Sequence, residues 1–271
     1  STGNKIRYNN ITKLRRTGAV GIDLNSDADG NNFYYNVIRK TQDSNLFLSS
    51  GNDRNTFVGN QFYDAYGLSG VKGAVYLDIN NDNNYFKQNL VNGSSLIGWA
   101  VYSGSDSNVF ENNSHTYGAT IGFDPDSSDW IIITDHITNS SAEFVQQAAS
   151  DHMIIANSTV DYGSEGGYCF WPDPNCVFAG GIRVTNGLSL TSNNVTIRNV
   201  SISRVYYGIR MYEAVGQVEI DNVTVDNVTI RNVSSGFILS QPSQSTLGKI
   251  VISNSRVMNA TGPPSTNQLA Y

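Results

Sequence analysis

The residues with the clearest potential for chemistry are three carboxylates in the stretch GATIGFDPDSSDW, residues 118–130. Asp124, Asp126 and Asp129 are spaced i, i+2 and i+5, so their oxygens can converge on one hard cation, of which calcium wants six to eight oxygen ligands. If the protein is an enzyme, Asp124 and Asp126 are the candidate catalytic residues, because proton transfer needs a titratable group beside the substrate. The alternative is that all three belong to a turn that leads into the next strand.

These carboxylates belong to a chain that repeats. Four segments share the pattern Asn-x-Phe-x-x-Asn, and their starts are 24, 29 and 24 residues apart: NNFYYN (31–36), NTFVGN (55–60), NYFKQN (84–89) and NVFENN (108–113). Weaker versions follow later in the chain, and each unit has a second short apolar run and a turn cluster rich in Asp, Asn, Gly and Ser. Short strands of this kind, in which every second residue is apolar, are typical of β structure.

The period predicts an all-β protein, a single-stranded right-handed parallel β-helix of about 9–11 coils. Stacked asparagine amides would donate to one neighbour and accept from the next. The stacked phenylalanines of the four clear repeats would form one internal column: Phe33, Phe57, Phe86 and Phe110. From residue 194 the pattern shifts by one, to Val195 and Ile197, which indicates either a different cross-section in the later coils or a different register.

No linker divides the chain. We therefore predict one β-helix domain over residues 1–262, with a loop protruding near residues 163–179 and a C-terminal tail over residues 263–271. The predicted loop carries Cys169 and Cys176, for which a local disulfide or a pair of reduced thiols are the alternatives. It also carries an aromatic cluster of Tyr168, Phe170 and Trp171, a candidate carbohydrate-binding surface.

The coils resemble those of the right-handed parallel β-helix repeat proteins of the pectate-lyase-like group, over nearly the whole chain. That group contains polysaccharide lyases, pectin hydrolases, mannuronan epimerases, phage tail spikes and surface proteins, so the resemblance implies a fold and not one activity. GFDP at 122–125 is similar to a stretch of mannuronan C-5 epimerases in which a Tyr, an Asp and a His form the catalytic group. Asp124 matches the aspartate, but Ile121 stands at the tyrosine position and Asp126 at the histidine position.

Neither Ile121 nor an ionised Asp126 suits the proton transfer of such an epimerase, and the motifs of pectin hydrolases are absent. The neighbouring coils offer Lys87, Tyr102 and Tyr117 as proton-transferring partners of Asp124. Two further candidates, which the sequence does not place beside Asp124, are Arg183 and Arg210. Because equivalent turns elsewhere are also acidic, we expect the substitution Asp124→Asn to leave any activity intact.

Other aromatic and imidazole side chains are interpreted structurally. Trp99 and Trp130 are assigned to the core or to strand ends rather than to sugar platforms. The three histidines, His115, His136 and His152, are isolated in the sequence and are assigned to the surface or to turns rather than to catalysis.

The composition excludes some partners. The formal net charge is −6 and the pI about 4.9, whereas nucleic acid needs a basic face. No apolar run approaches the roughly 18 residues of a membrane-spanning helix, so we expect no membrane insertion. Eleven Asn-x-Ser/Thr sequons are candidate glycosylation sites if the chain is secreted. They start at Asn10, Asn92, Asn112, Asn139, Asn157, Asn194, Asn199, Asn222, Asn227, Asn232 and Asn259.

Two functions remain open. The first is a non-catalytic extracellular or cell-surface module for adhesion, coat or filament building, with polysaccharide, surface proteins or other copies of itself as partners. Self-assembly is included because the ends of a β-helix expose unpaired strand edges. The alternative, implied by the resemblance, is a polysaccharide lyase or uronan epimerase that acts on acidic glycans. Calcium is the one cofactor that the residues suggest.

Overall fold

The strands of this protein stack into a parallel β-helix, seen here in a computed structural model. The described residues form 31 strands, which we number in chain order, and contain no helix. Among them, therefore, no helix is long and apolar enough to cross a membrane. The structure describes residues 2–14, 16, 18–66, 73–94, 97–116, 121–139, 143–148, 150–161, 180–185, 192–205, 207–212, 220–233, 235–240 and 248–260.

Three long parallel sheets, A, B and C, run along the helix axis. Sheet A contains β1 (Lys5–Arg7), β4 (Asn32–Tyr34), β7 (Thr56–Val58), β10 (Tyr85–Lys87), β13 (Val109–Glu111), β16 (Ile132–Thr134), β19 (Ile154–Ala156), β23 (Thr196–Arg198), β27 (Val223–Asp226) and β30 (Ile250–Ser253). Sheet B contains β2 (Asn10–Leu14), β5 (Val37–Thr41), β8 (Gln61–Ala65), β11 (Leu90–Asn92), β14 (Ser114–Thr116), β17 (Ile137–Asn139), β20 (Thr159–Asp161), β24 (Ser201–Ser203), β28 (Thr229–Val233) and β31 (Arg256–Ala260). Sheet C contains β3 (Ile22–Leu24), β6 (Leu46–Ser50), β9 (Gly73–Ile79), β12 (Ile97–Tyr102), β15 (Ile121–Asp126), β18 (Glu143–Ala148), β21 (Gly180–Thr185), β25 (Tyr207–Tyr212) and β29 (Ser235–Ser240).

One strand from each sheet, taken in chain order, makes one coil. Sheets A and B each contain ten strands, which confirms the predicted parallel β-helix and its number of coils. A two-stranded pairing of β22 (Ser192–Asn193) with β26 (Ile220–Asp221) adds to the later coils. Successive coils are therefore about 4.8 Å apart, one strand spacing.

The core contains the predicted phenylalanine column. Phe33, Phe57, Phe86 and Phe110 are paired residue to residue in sheet A and are at most 1 % exposed. Their ring centroids are 4.7, 4.7 and 4.8 Å apart, with nearly parallel planes. Ile133 continues the column beyond Phe110. The stack fixes the register of sheet A, because a slip of one residue would turn every ring outward.

Asparagine ladders line the turns on both sides of sheet A in the early coils. On one side, the amide of Asn60 donates to Asn89 and that of Asn89 to Asn113, each at 3.0 Å. On the other side, the backbone N–H of Asn55 donates to the side chain of Asn84 at 2.9 Å. All five side chains are buried. The ladders satisfy buried turn groups that would otherwise cost free energy.

The later coils keep the same register with apolar residues at the ladder positions. The N–H of Thr196 donates to the carbonyl of Met153, and that of Thr224 to the carbonyl of Val195. Asn84 and Asn108 accept the equivalent hydrogen bonds in the early coils. The shift at residue 194 is thus a change of cross-section, because Ile197 still pairs with Ile155.

Two of the three histidines lie inside the β-helix, so their assignment to the surface or to turns was wrong as regards exposure. His115 and His136 are 0 % exposed. The His136 ring packs against Phe123 and Phe144, with centroid distances of 4.9 and 5.4 Å. Because burial disfavours the charged imidazolium, it lowers the pKa of His115 to about 4 and that of His136 well below its usual value.

Several predictions concern residues outside the described part of the chain and remain predictions. They are the loop near 163–179, the Cys169–Cys176 pair, the aromatic cluster of Tyr168, Phe170 and Trp171, and the tail over 263–271.

Candidate functional site

The outward face of sheet C brings together side chains from five coils. Val75, Trp99 and Phe123 point inward, at 0 % exposure. Since side chains alternate along a strand, the residues that follow them face outward. Ala100 pairs with both Tyr76 and Asp124, and Arg183 pairs with Arg210. Strand β18 links the two groups, because its Val145 pairs with both Phe123 and Ile182. The first outward column therefore includes Tyr76, Ala100, Asp124, Arg183 and Arg210, and the second includes Asp78, Tyr102 and Asp126.

A tyrosine and an aspartate from neighbouring coils form a hydrogen-bonded pair at the centre of this face. The hydroxyl of Tyr102, on β12, donates to Oδ2 of Asp124, on β15. Asp124 is only 6 % exposed. Burial, followed by the charge and the hydrogen bond of Asp124, raises the pKa of Tyr102. Tyr102 is therefore a phenol that holds its proton and presents it to the carboxylate.

Aromatic residues extend the face toward the early coils. The Tyr76 ring stacks on Phe47 with a centroid distance of 5.3 Å and meets Tyr102 edge to face at 5.5 Å. The Tyr76 hydroxyl donates to Oδ1 of Asp78 at 3.0 Å. Burial, and then the charge of Asp78, raises the pKa of Tyr76. This end of the face combines a packed aromatic cluster, in which Tyr76 is buried, with a half-buried carboxylate that can accept further hydrogen bonds.

Two arginines extend the face toward the later coils. The ring of Tyr207 lies across Gly180, where a Cβ atom would come within 2.1 Å of the ring. The guanidinium carbon of Arg210 lies 5.9 Å from the centroid of the same ring, an arrangement that favours a cation. Arg183 and Asp124 are separated by one intervening strand, β18, so their Cα atoms are about 10 Å apart. The structure thus places both arginines on the same face as Asp124, a placement that the sequence alone did not predict.

The three aspartates of GFDPDSSDW are divided between two features. Asp124 and Asp126 lie within β15 rather than in a turn. Burial raises the pKa of Asp126, and a hydrogen bond from Ser127 opposes that effect. Asp129 instead belongs to a column of turn carboxylates, in which each accepts the backbone N–H of the next: Asp29, Asp53, Asp82, Asp106, Asp129 and Asp151.

The proposed calcium triad therefore does not converge on one point. Across the described residues, no group of three or more His, Cys, Asp or Glu side chains is placed to hold a metal ion. The turn interpretation holds for Asp129, whose carboxylate accepts the N–H of Asp151 at 2.8 Å.

Of the three predicted partners of Asp124, Tyr102 is the one that the structure places beside it. Lys87 points outward from sheet A, where its Nζ lies 2.7 Å from Oε1 of Glu111. The hydrogen bond from Lys87 lowers the pKa of Glu111. Tyr117 lies outside the described residues.

Most of the sequon asparagines are exposed, in turns or, for Asn232 and Asn259, within strands β28 and β31. Eight have a positive φ between 51° and 56°, a conformation that asparagine tolerates better than most residues. They are Asn112, Asn157, Asn194, Asn199, Asn222, Asn227, Asn232 and Asn259. Their amides stack from coil to coil, as where Asn199 donates to Asn157 at 3.0 Å and Asn227 to Asn199 at 2.9 Å. Glycosylation of these side chains stays a prediction.

The parts of this face come from distant points of the sequence. Tyr102 is 22 residues from Asp124 and 108 residues from Arg210. Sequence reasoning missed Tyr76 and Asp78 as part of the face. An exact register for sheet C would have found them, because YLDI, VYSG and FDPD align there. The repeats that fixed the register of sheet A have no equally regular counterpart in sheet C.

Solved structures with the same architecture are similar to this chain over most of its length. The catalytic domain of Agl-KA superposes with a TM-score of 0.64 and 13 % identity, over 97 % of this chain and 50 % of that one. PfbA, a surface adhesin of Streptococcus pneumoniae, gives 0.61 and 10 %, over 97 % and 71 %. A family 28 exopolygalacturonase of Yersinia enterocolitica gives 0.50 and 10 %, over 88 % and 47 %.

These likenesses show the right-handed parallel β-helix fold. The chain spans about half the length of the two enzymes. No family model and no curated protein sequence matches it. Structures that share this fold include both glycoside hydrolases and an adhesin, so the fold does not distinguish a catalytic from an adhesive function. The residues of the site have to make that distinction.

Proposed function

We propose that the chain is an extracellular glycan-binding β-helix that holds an acidic polysaccharide along the outward face of sheet C. The observation that carries this proposal is the alignment of Arg183 and Arg210 with the Tyr102–Asp124 pair and the Tyr76 patch on one face. A surface adhesin and a polygalacturonase among the neighbours of this fold support an extracellular glycan as the ligand class.

The spacing of the face suits a linear polymer. Successive coils are about 4.8 Å apart, which is close to the length of one pyranose residue. A polysaccharide parallel to the helix axis would therefore present about one sugar to each coil. The half-buried rings of Phe47 and Tyr102 offer flat surface to successive sugars, and the carboxylates of Asp78 and Asp126 can accept hydrogen bonds from hydroxyl groups.

The arginines select for acidic sugars. A guanidinium binds a carboxylate through paired hydrogen bonds, and this geometry gives specificity as well as affinity. Arg183 and Arg210 are adjacent in the column and half-buried, so they can contact the carboxylates of neighbouring uronate residues. Among the described side chains of the face, the anionic group nearest to Arg183 is Asp124, two coils away, where a sugar hydroxyl rather than a uronate carboxylate is expected.

A second candidate function is a uronan lyase or epimerase, and the Tyr102–Asp124 pair favours it. Such chemistry removes the proton at C5 of a uronate and needs an acid and a base beside the sugar. Because its pKa is raised, Tyr102 suits the role of acid or hydrogen-bond donor rather than base. The tyrosine that is missing at position 121 would then be supplied by the preceding coil.

The binding proposal is tested by affinity for polygalacturonate and polymannuronate, with neutral polysaccharides for comparison. We expect uronan binding that weakens with salt, as screening requires, and that falls by about tenfold or more in the double variant Arg183→Gln/Arg210→Gln. The matched control is the double variant Arg198→Gln/Arg231→Gln, which also removes two positive charges, from the exposed faces of β23 and β28. Equal losses in the control, or no uronan binding by the unmodified chain, would refute the proposal.

The enzymatic candidate is tested by incubation with the same uronans. Unsaturated products absorb near 235 nm, and epimerisation is seen by proton NMR. Activity that is lost in Tyr102→Phe and in Asp124→Asn, with binding retained, would assign catalysis to this pair and overturn the expectation that Asp124→Asn is silent. If the unmodified chain binds uronans but does not convert them, the outward face of sheet C is a binding surface and the enzymatic candidate is rejected.

A further inference from the structure

A second aromatic feature lies away from sheet C, at the turn that leads into sheet A. Trp130 precedes β16 and His152 precedes β19, and their rings stack with centroids 3.9 Å apart and planes within 12°. Trp130 is 56 % exposed. The core is therefore excluded for Trp130, which lies at a strand end just before β16, whereas Trp99 is fully buried in the core.

The backbone conformation at Trp130 disfavours a bulky side chain. One residue of each turn here has a left-handed conformation, and at Trp130 and His152 the φ angles are 58° and 57°. Asparagine fills the equivalent position at Asn83, Asn194 and Asn222, and Arg54 and Ser107 fill it in two other coils. A bulky side chain is disfavoured in this conformation, and an exposed indole gains nothing from burial. Residues that break local rules in this way cluster at functional sites.

A groove of about 340 Å³ lies beside the stacked rings. Its floor is apolar, since Ile132 and Ile154 point outward from β16 and β19. Its edges are polar, with Ser107 on one side and Asn194 on the other. The amide nitrogen of Asn194 lies 3.3 Å from Nε2 of His152, which fixes the imidazole next to the indole.

The surrounding charge selects the kind of ligand. Asp106, Asp129 and Asp151 immediately precede Ser107, Trp130 and His152, and they form consecutive members of the carboxylate column. Burial raises the pKa of Asp106, with the charges of Asp129 and Asp82 adding to that effect. Three stacked carboxylates repel an anionic ligand and accept hydrogen bonds from hydroxyl groups.

We propose that Trp130, held by its stack on His152, forms a stacking platform for a pyranose ring of a neutral glycan. The C–H face of the sugar would lie on the indole face that His152 leaves uncovered, and its hydroxyl groups would reach Ser107 and the neighbouring carboxylates. This site is separate from the face of sheet C and has the opposite charge preference. It would let one β-helix hold a neutral and an acidic glycan at once.

The test uses cellohexaose, laminarihexaose, xylohexaose and mannohexaose as probes, with hexagalacturonate as the anionic comparison. Binding is followed by the NMR signal of the Trp130 indole N–H and by calorimetry. We expect at least one neutral hexasaccharide to move that signal. In Trp130→Asn, a change that the backbone position favours, the affinity should fall by about tenfold or more, with a smaller fall in His152→Asn.

The matched control is Ile137→Asn, which makes the same kind of change at a side chain that is also 56 % exposed but lies on sheet B. It should leave neutral binding unchanged, and so should Arg183→Gln/Arg210→Gln, which tests the other face. The proposal is overturned if no neutral probe moves the Trp130 signal at millimolar concentration, or if hexagalacturonate binds there instead. Concentration-dependent self-association that Trp130→Asn abolishes would also overturn it, since the occupant would then be a second copy of the chain.

Discussion

The early and later coils follow the same backbone path with different interior chemistry. In the first five coils, asparagine occupies the turn before each strand of sheet A, as at Asn84 and Asn108. In the following coils the same position holds an apolar residue, as at Ile131, Met153 and Val195. Both halves keep the parallel pairing of sheet A without interruption.

The turn before each strand of sheet A is therefore stabilised in two ways. An amide ladder satisfies turn carbonyls directly, as where Nδ2 of Asn89 donates to the carbonyl of Phe57 at 2.9 Å. It also couples each coil to the next, because every amide needs a partner above and below. An aliphatic column contributes through burial alone, so each of its members is more independent of its neighbours.

The largest effect should come from the aromatic column of the early half. Phe86→Ala removes a ring that stacks on Phe57 and Phe110, and should lower the free energy of unfolding by about 3–5 kcal/mol. Urea unfolding followed by circular dichroism measures this. The comparison in the later half is Ile197→Val, for which about 0.5–1.5 kcal/mol is expected. Equal effects of the two changes would mean that the stack is not specially stabilising.

A pH effect of similar size is expected at the border between the halves, where His136 takes the ladder position after Asn113. The pKa of His115 is 6.5 when unfolded and about 4 when folded. Between these values the unfolded state binds more protons, so the free energy of unfolding falls as the pH falls from 6.5 to 4. The difference for His115 alone corresponds to about 3 kcal/mol, and His136 acts in the same direction.

Urea midpoints at a series of pH values measure this dependence. His115→Val should flatten the curve between pH 6.5 and 4, because valine matches Val91 at the paired position of β11. Asp161 and Asp226 have lowered pKa values, so their protonation decreases the free energy of unfolding only at still lower pH. A curve with the same slope in His115→Val would show that this histidine does not carry the effect.

Exchanging the two interior chemistries should cost about 1–3 kcal/mol in each direction. Asn89→Val leaves the carbonyl of Phe57 and the side chains of Asn60 and Asn113 with fewer partners. Val200→Asn places an amide in a buried site of the later half. Thermal and urea unfolding of both variants test this. A more stable Asn89→Val would contradict the stabilising role assigned to the ladder.

The smallest effect is expected on the outward face of sheet A. Glu111→Gln removes the ion pair with Lys87, whose two side chains are each 35 % exposed, and should change the stability by less than about 1 kcal/mol. Added salt should diminish the difference further. If Glu111→Gln lowered the free energy of unfolding as much as Phe86→Ala, the Lys87–Glu111 ion pair would be far more stabilising than an exposed ion pair.

The sequence predicts the fold well because the repeat and the core coincide. The Asn-x-Phe-x-x-Asn pattern contains both the column of Phe57 and Phe86 and the ladder of Asn60 and Asn89, so one pattern defines strand, turn and register. The shift at Val195 was harder to interpret, since a change from asparagine to valine at a fixed position looks like a slip along the chain.

The candidate site was predictable only in part. GFDP drew attention to Asp124, and Tyr102 was among its possible partners. Their hydrogen bond, and the alignment of Arg183 and Arg210 with them, depend on how strands of sheet C pair across coils of unequal length. The burial of His115 was also missed, because a single imidazole in a polar turn-rich sequence carries no sign of its surroundings.

A crystal structure with a bound hexauronate tests the binding of an acidic glycan to sheet C most directly. We expect sugar density along the outward face of sheet C, with uronate carboxylates on Arg183 and Arg210 and a ring near Tyr102 and Asp124. Density for the acidic glycan on another face, with the face of sheet C left bare, would contradict it.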